Sequence, residues 1–455
     1  MNPQPQNDHP SVGGAKSMMP YEALDLALNF ENQDQHNWWK RAAPVLGQLM
    51  LHSNYNVNKQ YQYLAFFAQH IIPLLGPVPD ISGSNQRGLL PLEISQNFQE
   101  SGNTVRLLFE PKSYSGYVST KDPFGELLTH ETLSKLGQVG GVELDLQLYY
   151  QLASLLNLSK KEEREIIESS YDSLAPTFKV QSLIGLQLPR NGNITLKVDW
   201  FLSAKSMITK TPISEITFEA IRKLDQGSDL FIPALRPIEE YFKTIQMHPA
   251  SPSSPQTTEF CVLACHLANK SQTRLKLYFS ECLWKFSRLS DLYTLGGRLN
   301  DCPGITQGLE ILHELWSVLQ ISEGYHYPSL LNSQIRKGGE NDIFSDASRV
   351  APEAQFFDDQ LLVFNFEIRP GDKWPQPKVY FPLSYLTDSR IMDAVVALFN
   401  KLGWKEEANR YKENFKSYYP MCDFDKTSGL QHFLSFSYNP KTGPYTSVYY
   451  WKIGG

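Results

Sequence analysis

Cysteine is scarce in this chain of 455 residues: the five, at positions 261, 265, 282, 302 and 422, are odd in number and widely scattered. They make neither a disulfide framework nor a paired Cys-x-x-Cys zinc site, and Cys261 and Cys265 read as residues of a buried strand. Net charge is small, 42 basic against 48 acidic residues, which gives no reason to expect a nucleic acid or an anionic membrane as partner. No apolar run reaches the ~18 residues of a membrane span, and no basic-then-apolar leader opens the sequence. The expectation is a cytoplasmic protein.

Familiar catalytic signatures are missing too. There is no Gly-x-Gly-x-x-Gly, Walker loop, His-Glu-x-x-His or Gly-x-Ser-x-Gly. Thr294-Leu-Gly-Gly-Arg-Leu299 follows a helical stretch without dinucleotide spacing and reads as a helix terminator. No Asp-Asp-x-x-Asp box, the arrangement that holds magnesium against a diphosphate, occurs; Asp358-Asp359-Gln-Leu-Leu lacks the third carboxylate. His266, His313 and His432 lie in unrelated contexts and read as core or surface residues.

What is present is an inverted strand pattern. Five short runs, over residues 104–110, 194–201, 273–279, 377–382 and 444–450, put basic and aromatic side chains on one face and aliphatic ones on the other. Side chains alternate along a strand, so Arg274, Lys276 and Tyr278 share one side while Leu275, Leu277 and Phe279 share the other. Lys378 and Tyr380 repeat the arrangement. If the aliphatic faces pack on helices, the polar faces point into a common interior, a cationic, tyrosine-lined lumen suited to an anionic ligand.

Residues 1–18 are polar and proline-containing, an expected disordered tail ahead of a single domain over 19–455. Helical periodicity over 21–28, 37–52 and 59–75 stops at Gly76-Pro77, and strands are expected at 90–99 and 104–111. The unit then recurs. Helices over 129–137, 143–156 and 159–169 precede strands at 181–188 and 194–201; helices over 214–224 and 235–246 precede strands at 258–267 and 273–279. Helices over 281–293 and 305–319 precede strands at 360–368 and 377–383, and helices over 388–402 and 404–417 precede strands at 430–438 and 444–451. Five copies of helices plus a hairpin outweigh the two or three domains that length alone suggests. Ten antiparallel strands are many for an open twisted sheet, and closure removes the edges. The expected fold is α+β, a ten-stranded antiparallel β-barrel enclosed by a ring of α-helices, with a lumen wide enough for small ligands. Segments 249–256 and 336–342 read as mobile surface loops.

Without a magnesium box, a diphosphate site must draw its positive charge from side chains, and Arg106, Lys197, Arg274, Lys276 and Lys378 are the candidates. Tyr278 and Tyr380 are candidates for the lumen; Tyr445 and Tyr449 share a face of the last strand, and Tyr438 is weaker because Leu434 and Phe436 lie on its side. Glu93 alternates with Leu92 and Ile94 and so points inward with Ser95 and Asn97. Inside a cationic barrel it either pairs with a lysine or arginine, or accepts a proton or hydrogen bond from substrate.

Separated segments, in order, resemble the fungal indole prenyltransferases of the dimethylallyltryptophan synthase type: Lys59 to Pro77, Leu92-Glu-Ile-Ser-Gln-Asn-Phe-Gln99, Arg106-Leu-Leu-Phe-Glu-Pro111, Asp122-Pro-Phe124, Arg274-Leu-Lys-Leu-Tyr278, Tyr293 to Leu299 and Pro377-Lys-Val-Tyr-Phe-Pro382. The resemblance spans residues 20–451 and implies a barrel of five ααββ repeats, the ABBA prenyltransferase fold. It implies dimethylallyl diphosphate as co-substrate, held by Arg106, Lys197, Arg274, Lys276, Tyr278, Lys378 and Tyr380. It implies further that tyrosines shield the dimethylallyl cation, that Glu93 accepts the indole N–H of the acceptor, and that no cofactor or obligatory metal takes part.

Two positions depart from the family pattern. Where Lys-x-Tyr is common, this chain has Lys197-Val-Asp199, so a carboxylate replaces a tyrosine; Asp199 must pair with Lys197 or Lys205, or contact acceptor or water. By the same resemblance, Ile184 aligns with a lysine of members that act on free tryptophan, which favours a tryptophan-containing cyclic dipeptide as acceptor over free tryptophan or another indole. Two readings from other classes compete: a non-catalytic barrel carrying an amphipathic ligand, and a glycoside hydrolase using Glu93 and Asp199. The first has no need of several phosphate-binding cations. For the second, cationic surroundings are expected to lower both carboxyls where a general acid needs one raised.

Overall fold

The structure, a computed structural model, describes residues 18–78, 91–112, 122–169, 174, 179–246, 257–326, 356–357 and 360–450. Ten strands form the barrel: β1 Leu92–Phe98, β2 Thr104–Phe109, β3 Ser182–Leu188, β4 Ile194–Phe201, β5 Thr258–His266, β6 Leu275–Glu281, β7 Leu362–Ile368, β8 Gln376–Pro382, β9 Gln431–Asn439 and β10 Gly443–Tyr450. Each pairs antiparallel with its neighbours in sequence, and β1 closes onto β10 through Ile94 opposite Tyr450. No barrel strand is left with an open edge, so closure satisfies the ladder that an open sheet would expose.

The helices precede each hairpin as the repeat requires. Before β1 come α1 Pro20–Ala27, α2 Gln33–His52 and α3 Val57–Phe66. Before β3 come α4 Glu126–Leu136, α5 Leu146–Leu156 and α6 Lys160–Ser169; before β5, α7 Ser203–Thr209, α8 Ile213–Asp225 and α9 Ile232–Gln246. Before β7 come α10 Phe286–Tyr293 and α11 Ile305–Val318, and before β9, α12 Asp388–Lys401 and α13 Lys405–Tyr418. Asn32 and Asn56 cap α2 and α3 by accepting from Gln35 N and Lys59 N, each at 2.9 Å. After α3 the chain runs through a π turn, Phe67–Ile71, and a short 3-10 turn holding Pro73, whose missing N–H prevents a regular helix from continuing.

Alternation decides what each strand face meets. Leu275, Leu277, Phe279, Phe364, Phe366, Val379, Phe381, Leu434, Phe436 and Val448 are fully buried in one core with the apolar stripes of the helices. Large side chains buried there stabilise the fold by about 1.5–3 kcal/mol each. The aromatic contacts are close: Phe279 stacks on Phe364 at 5.3 Å, and Phe98 meets Phe399 of α12 at 4.8 Å between centroids. Polar anchors fix helices to strand ends. Glu281, fully buried at the end of β6, accepts from Arg288 Nε of α10 (2.9 Å) and from Thr258 Oγ1 (2.6 Å), and Asp388 of α12 accepts from Gln431 N at 3.0 Å.

One expectation is corrected, one helix is added, and one turn is as expected. The helix expected over 281–293 begins only at Phe286, because Glu281 completes β6 and Leu283–Trp284 pairs with Gly324–His326 as a short strand. Helix α7 has seven residues, too few to show a period in sequence. The turn at Thr294–Leu299 ends α10 as expected, with Leu295, Gly296 and Gly297 all at positive φ. The expected tail, apart from Met18, and the two expected loops lie outside the described residues.

Candidate functional site

Two adjoining cavities, each of about 270 Å³, occupy the lumen and share Arg106, Gln187 and Lys276 as a common wall. One is largely apolar and holds Glu93, Leu183, Gly185, Lys197, Asp199, Phe201, Cys261, Val262, His266, Tyr278, Val363, Tyr380, Phe433 and Tyr449. The other is a basic basin lined by Arg106, Arg274, Lys276, Arg369 and Lys378, with Glu367 as its carboxylate and Thr104, Asn365, Gln376, Ser437 and Tyr445 around them. The inverted strand pattern thus converges as the sequence suggests: Arg106 on β2, Arg274 and Lys276 at β6, and Lys378 on β8 meet in one place.

The basin is short of negative charge. Glu367 accepts from Arg369 Nη2 at 2.6 Å and lies 3.4 Å from Lys276 Nζ and 3.9 Å from Arg274 Nη1. Burial opposes its ionisation, but Lys276, Arg274 and Arg369 outweigh burial and hold it well below the usual carboxylate range. Glu367 is one carboxylate among five basic side chains. Burial, with repulsion from Arg274, Arg106 and Lys197, brings Lys276 down to about 7, and burial with repulsion from Lys276 and Arg106 lowers Lys378 well below the ordinary lysine value. An incoming polyanion meets donors that are fixed in place and lack counter-charge.

Aromatic rings stand between basin and chamber. Lys378 Nζ sits 4.5 Å from the Tyr445 centroid and 5.1 Å from that of Tyr380, and the Arg106 guanidinium is 5.6 Å from Tyr445. Asn97, with its amide oxygen turned to Arg106, accepts from Nε at 2.9 Å and fixes the guanidinium. The Tyr278 and Tyr449 rings lie 5.9 and 5.8 Å from Tyr380, and Asn365 Nδ2 donates to the Tyr380 hydroxyl at 2.8 Å. Burial raises Tyr278, Tyr380 and Tyr449, so all three stay neutral hydroxyls with π faces available to a cation.

In the apolar chamber, Glu93 is pushed up to about 7, by burial first, with Lys197 lowering and Asp199 raising it. This reverses the expectation that cationic surroundings would depress it: its accessible edge faces the chamber, with protein on every side, and desolvation wins over one lysine. Asp199 accepts from Lys197 Nζ at 2.5 Å, so the first of the pairings considered for it holds, while Lys205 donates instead to Glu162 at 2.9 Å. Gly185 lies across from Lys197; a Cβ there would fall 2.5 Å from Lys197 Cε and 2.7 Å from Cγ. The glycine is the space in which the lysine stem lies.

Two positions fall elsewhere. Tyr438 lines neither cavity: its ring packs against Gly304 and its Cβ against Gly308 at the start of α11, on the outer side of β9, with Leu434 and Phe436. Ile184, which carried the acceptor expectation, is fully buried in the outer core; Leu183 and Gly185 are the neighbours that reach the chamber. Cys261, at a bulge in β5, also lines the chamber, and burial first among its causes pushes its thiol up to about 12.

Sequence reasoning missed several lining residues. His266, set aside as core or surface, faces the chamber with Nδ1 3.1 Å from Arg274 Nη2; arginine only donates, so Nδ1 accepts. Burial and then Arg274 and Lys276 drive its pKa well below the ordinary value, so it is neutral. Asn365 and Glu367 on β7 alternate with Phe364, Phe366 and Ile368, the same inverted pattern that identified the other strands. That signal was present and unread.

Comparison with known proteins agrees with this architecture. Residues 34–414 match the family described as tryptophan dimethylallyltransferase. The chain is 63% identical over 456 residues to the verruculogen prenyltransferase of Neosartorya fischeri and 62% identical over 458 residues to the prenyltransferase ucdE of Aspergillus ustus, with 100% of each chain covered in both cases. The crystal structure of NotF in complex with brevianamide F and DMSPP superposes with a TM-score of 0.78 at 27% identity, covering 96% of this chain and 100% of NotF. The barrel is the ABBA prenyltransferase fold, and the family match with these relatives sets aside the carrier and hydrolase readings. With a match over most of its length and relatives above 60% identity along all of it, the chain belongs to the tryptophan dimethylallyltransferase family and is a prenyltransferase.

Proposed function

We propose that the protein transfers the dimethylallyl group of dimethylallyl diphosphate to the indole of a tryptophan-containing cyclic dipeptide. The observation that carries this is the juxtaposition in one lumen of a basin with five basic side chains to one carboxylate and an apolar chamber holding Glu93, with tyrosines between them. The diphosphate lies in the basin on Arg106, Arg274, Lys276 and Lys378, with Tyr278 and Tyr380 donating from the rim. Lys197, tied to Asp199, sits on the chamber side and serves the diphosphate less directly than the other cations.

The allylic C–O bond breaks with its electron pair going to the diphosphate oxygen, whose charge the basin stabilises. The Tyr278, Tyr380 and Tyr449 faces attract the allyl cation and exclude water, each ring contributing about 0.5–2 kcal/mol. The indole attacks while Glu93, as carboxylate, accepts a hydrogen bond from its N–H, and the alkylated ring carbon then gives its proton to the released diphosphate, which leaves in protonated form. The positive charge that a divalent ion would supply is already in the side chains, so turnover needs no added metal. A second acceptor reading rests on identity: the relative named for verruculogen is 63% identical, against 27% for NotF.

The test is incubation with dimethylallyl diphosphate and, separately, cyclo-L-Trp-L-Pro, cyclo-L-Trp-L-Ala, free tryptophan and verruculogen, in EDTA, with products read by mass spectrometry and NMR. A prenylated cyclic dipeptide is expected. Product with verruculogen alone moves the acceptor to the second reading, and a strict requirement for magnesium overturns the metal-free mechanism.

A further inference from the structure

Asp199 is a chemistry-bearing side chain of the chamber that the reaction above leaves without a task. It is 6% exposed, on β4. Its partners across the ladder are Leu183 on β3 and Ala264 on β5, and neither side chain can donate a hydrogen bond. One carboxylate oxygen, Oδ2, takes the 2.5 Å bond from Lys197. The other, Oδ1, is buried and has no hydrogen-bond partner among the described residues. A buried carboxylate oxygen left unsatisfied is costly, and such groups in folded proteins normally have a partner. The residue lines the chamber that holds Glu93, so a molecule seated there can supply the missing donor.

We infer that Asp199 Oδ1 accepts a hydrogen bond from an N–H or O–H of the acceptor outside its indole ring, and so selects acceptors that carry such a donor beside the prenylated ring. This deepens the function proposed above and rests on that reading. The chamber then holds two carboxyl groups with separate tasks. Glu93 takes the indole N–H; Asp199, oriented by its 2.5 Å contact with Lys197, takes a second donor such as the amide N–H of a diketopiperazine. The same pairing turns Lys197 away from the basin, so one substitution on β4 moves a cation from diphosphate to acceptor.

The experiment compares wild type with Asp199→Asn, which keeps shape and volume, using cyclo-L-Trp-L-Pro, its analogue methylated on the tryptophan amide nitrogen, and verruculogen. Affinity for dimethylallyl S-thiolodiphosphate is measured by calorimetry in parallel. A hydrogen bond to a charged group predicts an acceptor KM raised about tenfold in Asp199→Asn, with thiolodiphosphate affinity changed less than about twofold. Wild type is expected to discriminate against the methylated analogue and the variant not to. An unchanged acceptor KM, or a shift in thiolodiphosphate affinity instead, overturns the inference, since Asp199 would then act only as the counter-ion that tunes Lys197. If wild type prenylates none of the three, the acceptor reading itself fails. The thiolodiphosphate arm then decides for Asp199: unchanged affinity keeps it on the acceptor side, and altered affinity removes it.

Discussion

Binding of the prenyl donor should draw protons out of solution. In the empty basin Lys276 titrates at about 7, because it is buried among Arg274, Arg106 and Lys197 with Glu367 as its only nearby carboxylate partner among the described residues. At pH 8 a lysine with that value is only about 10% protonated, whereas a diphosphate carries no proton it could release at this pH. Two or more negative charges beside Lys276 favour its charged form and raise its pKa well above 8, so binding takes up about 0.9 proton at this residue alone. Lys378 is lowered in the same direction, by burial and then by Lys276 and Arg106. Because the bound form holds more protons, affinity is greatest below the free pKa and is lost as pH rises from about 7 towards the bound pKa. The fall approaches tenfold per pH unit for each proton taken up. The assay is calorimetric titration with dimethylallyl S-thiolodiphosphate at pH 8 in buffers of different ionisation enthalpy, whose slope counts protons. Lys276→Met should reduce the slope by most of a proton and Glu93→Gln should leave it nearly intact. An uptake near zero in wild type, with tight binding, would show that Lys276 is already charged and that the basin does not lack counter-charge.

Glu93→Gln should lower kcat about 10²–10⁴-fold with little change in donor KM. In wild type the rate should be lost as pH falls through about 7, where Glu93 takes up a proton, and that acidic limb should vanish in the residual activity of the variant, as a pH profile of kcat will test. Tyr380→Leu removes one cation-facing ring, and about 0.5–2 kcal/mol corresponds to roughly a 2- to 30-fold rise in the ratio of prenyl alcohol to prenylated product, measured by chromatography. Gly185→Ala places a methyl group 2.5 Å from Lys197 Cε; overpacking should cost about 1–3 kcal/mol in a denaturant titration and break the Lys197–Asp199 pair, and a neutral result would mean the lysine stem is free to move.

Much of this protein is written in alternation. Lys-x-Tyr on β8 and Arg-x-Lys-x-Tyr entering β6 are two-residue periods, and a period of two fixes which side chains share a face whatever the rest of the chain does. Five recurrences of helices plus hairpin fix a closed barrel, because ten such strands have nowhere else to hide their edges. So the cationic lumen, and Glu93 within it, were legible before any coordinate. What sequence could not give is the meeting of strands distant in the chain. Glu367 against Lys276 depends on the register between β6 and β7, His266 against Arg274 on that between β5 and β6, and Asp199 with its unpaired oxygen on finding Leu183 and Ala264 opposite. Tyr438 follows the alternation instead: it shares a face with Leu434 and Phe436, and its ring accordingly packs outside the barrel at the start of α11. The raised value of Glu93 is likewise a property of burial, which a one-dimensional pattern of charges does not contain and the closed lumen imposes.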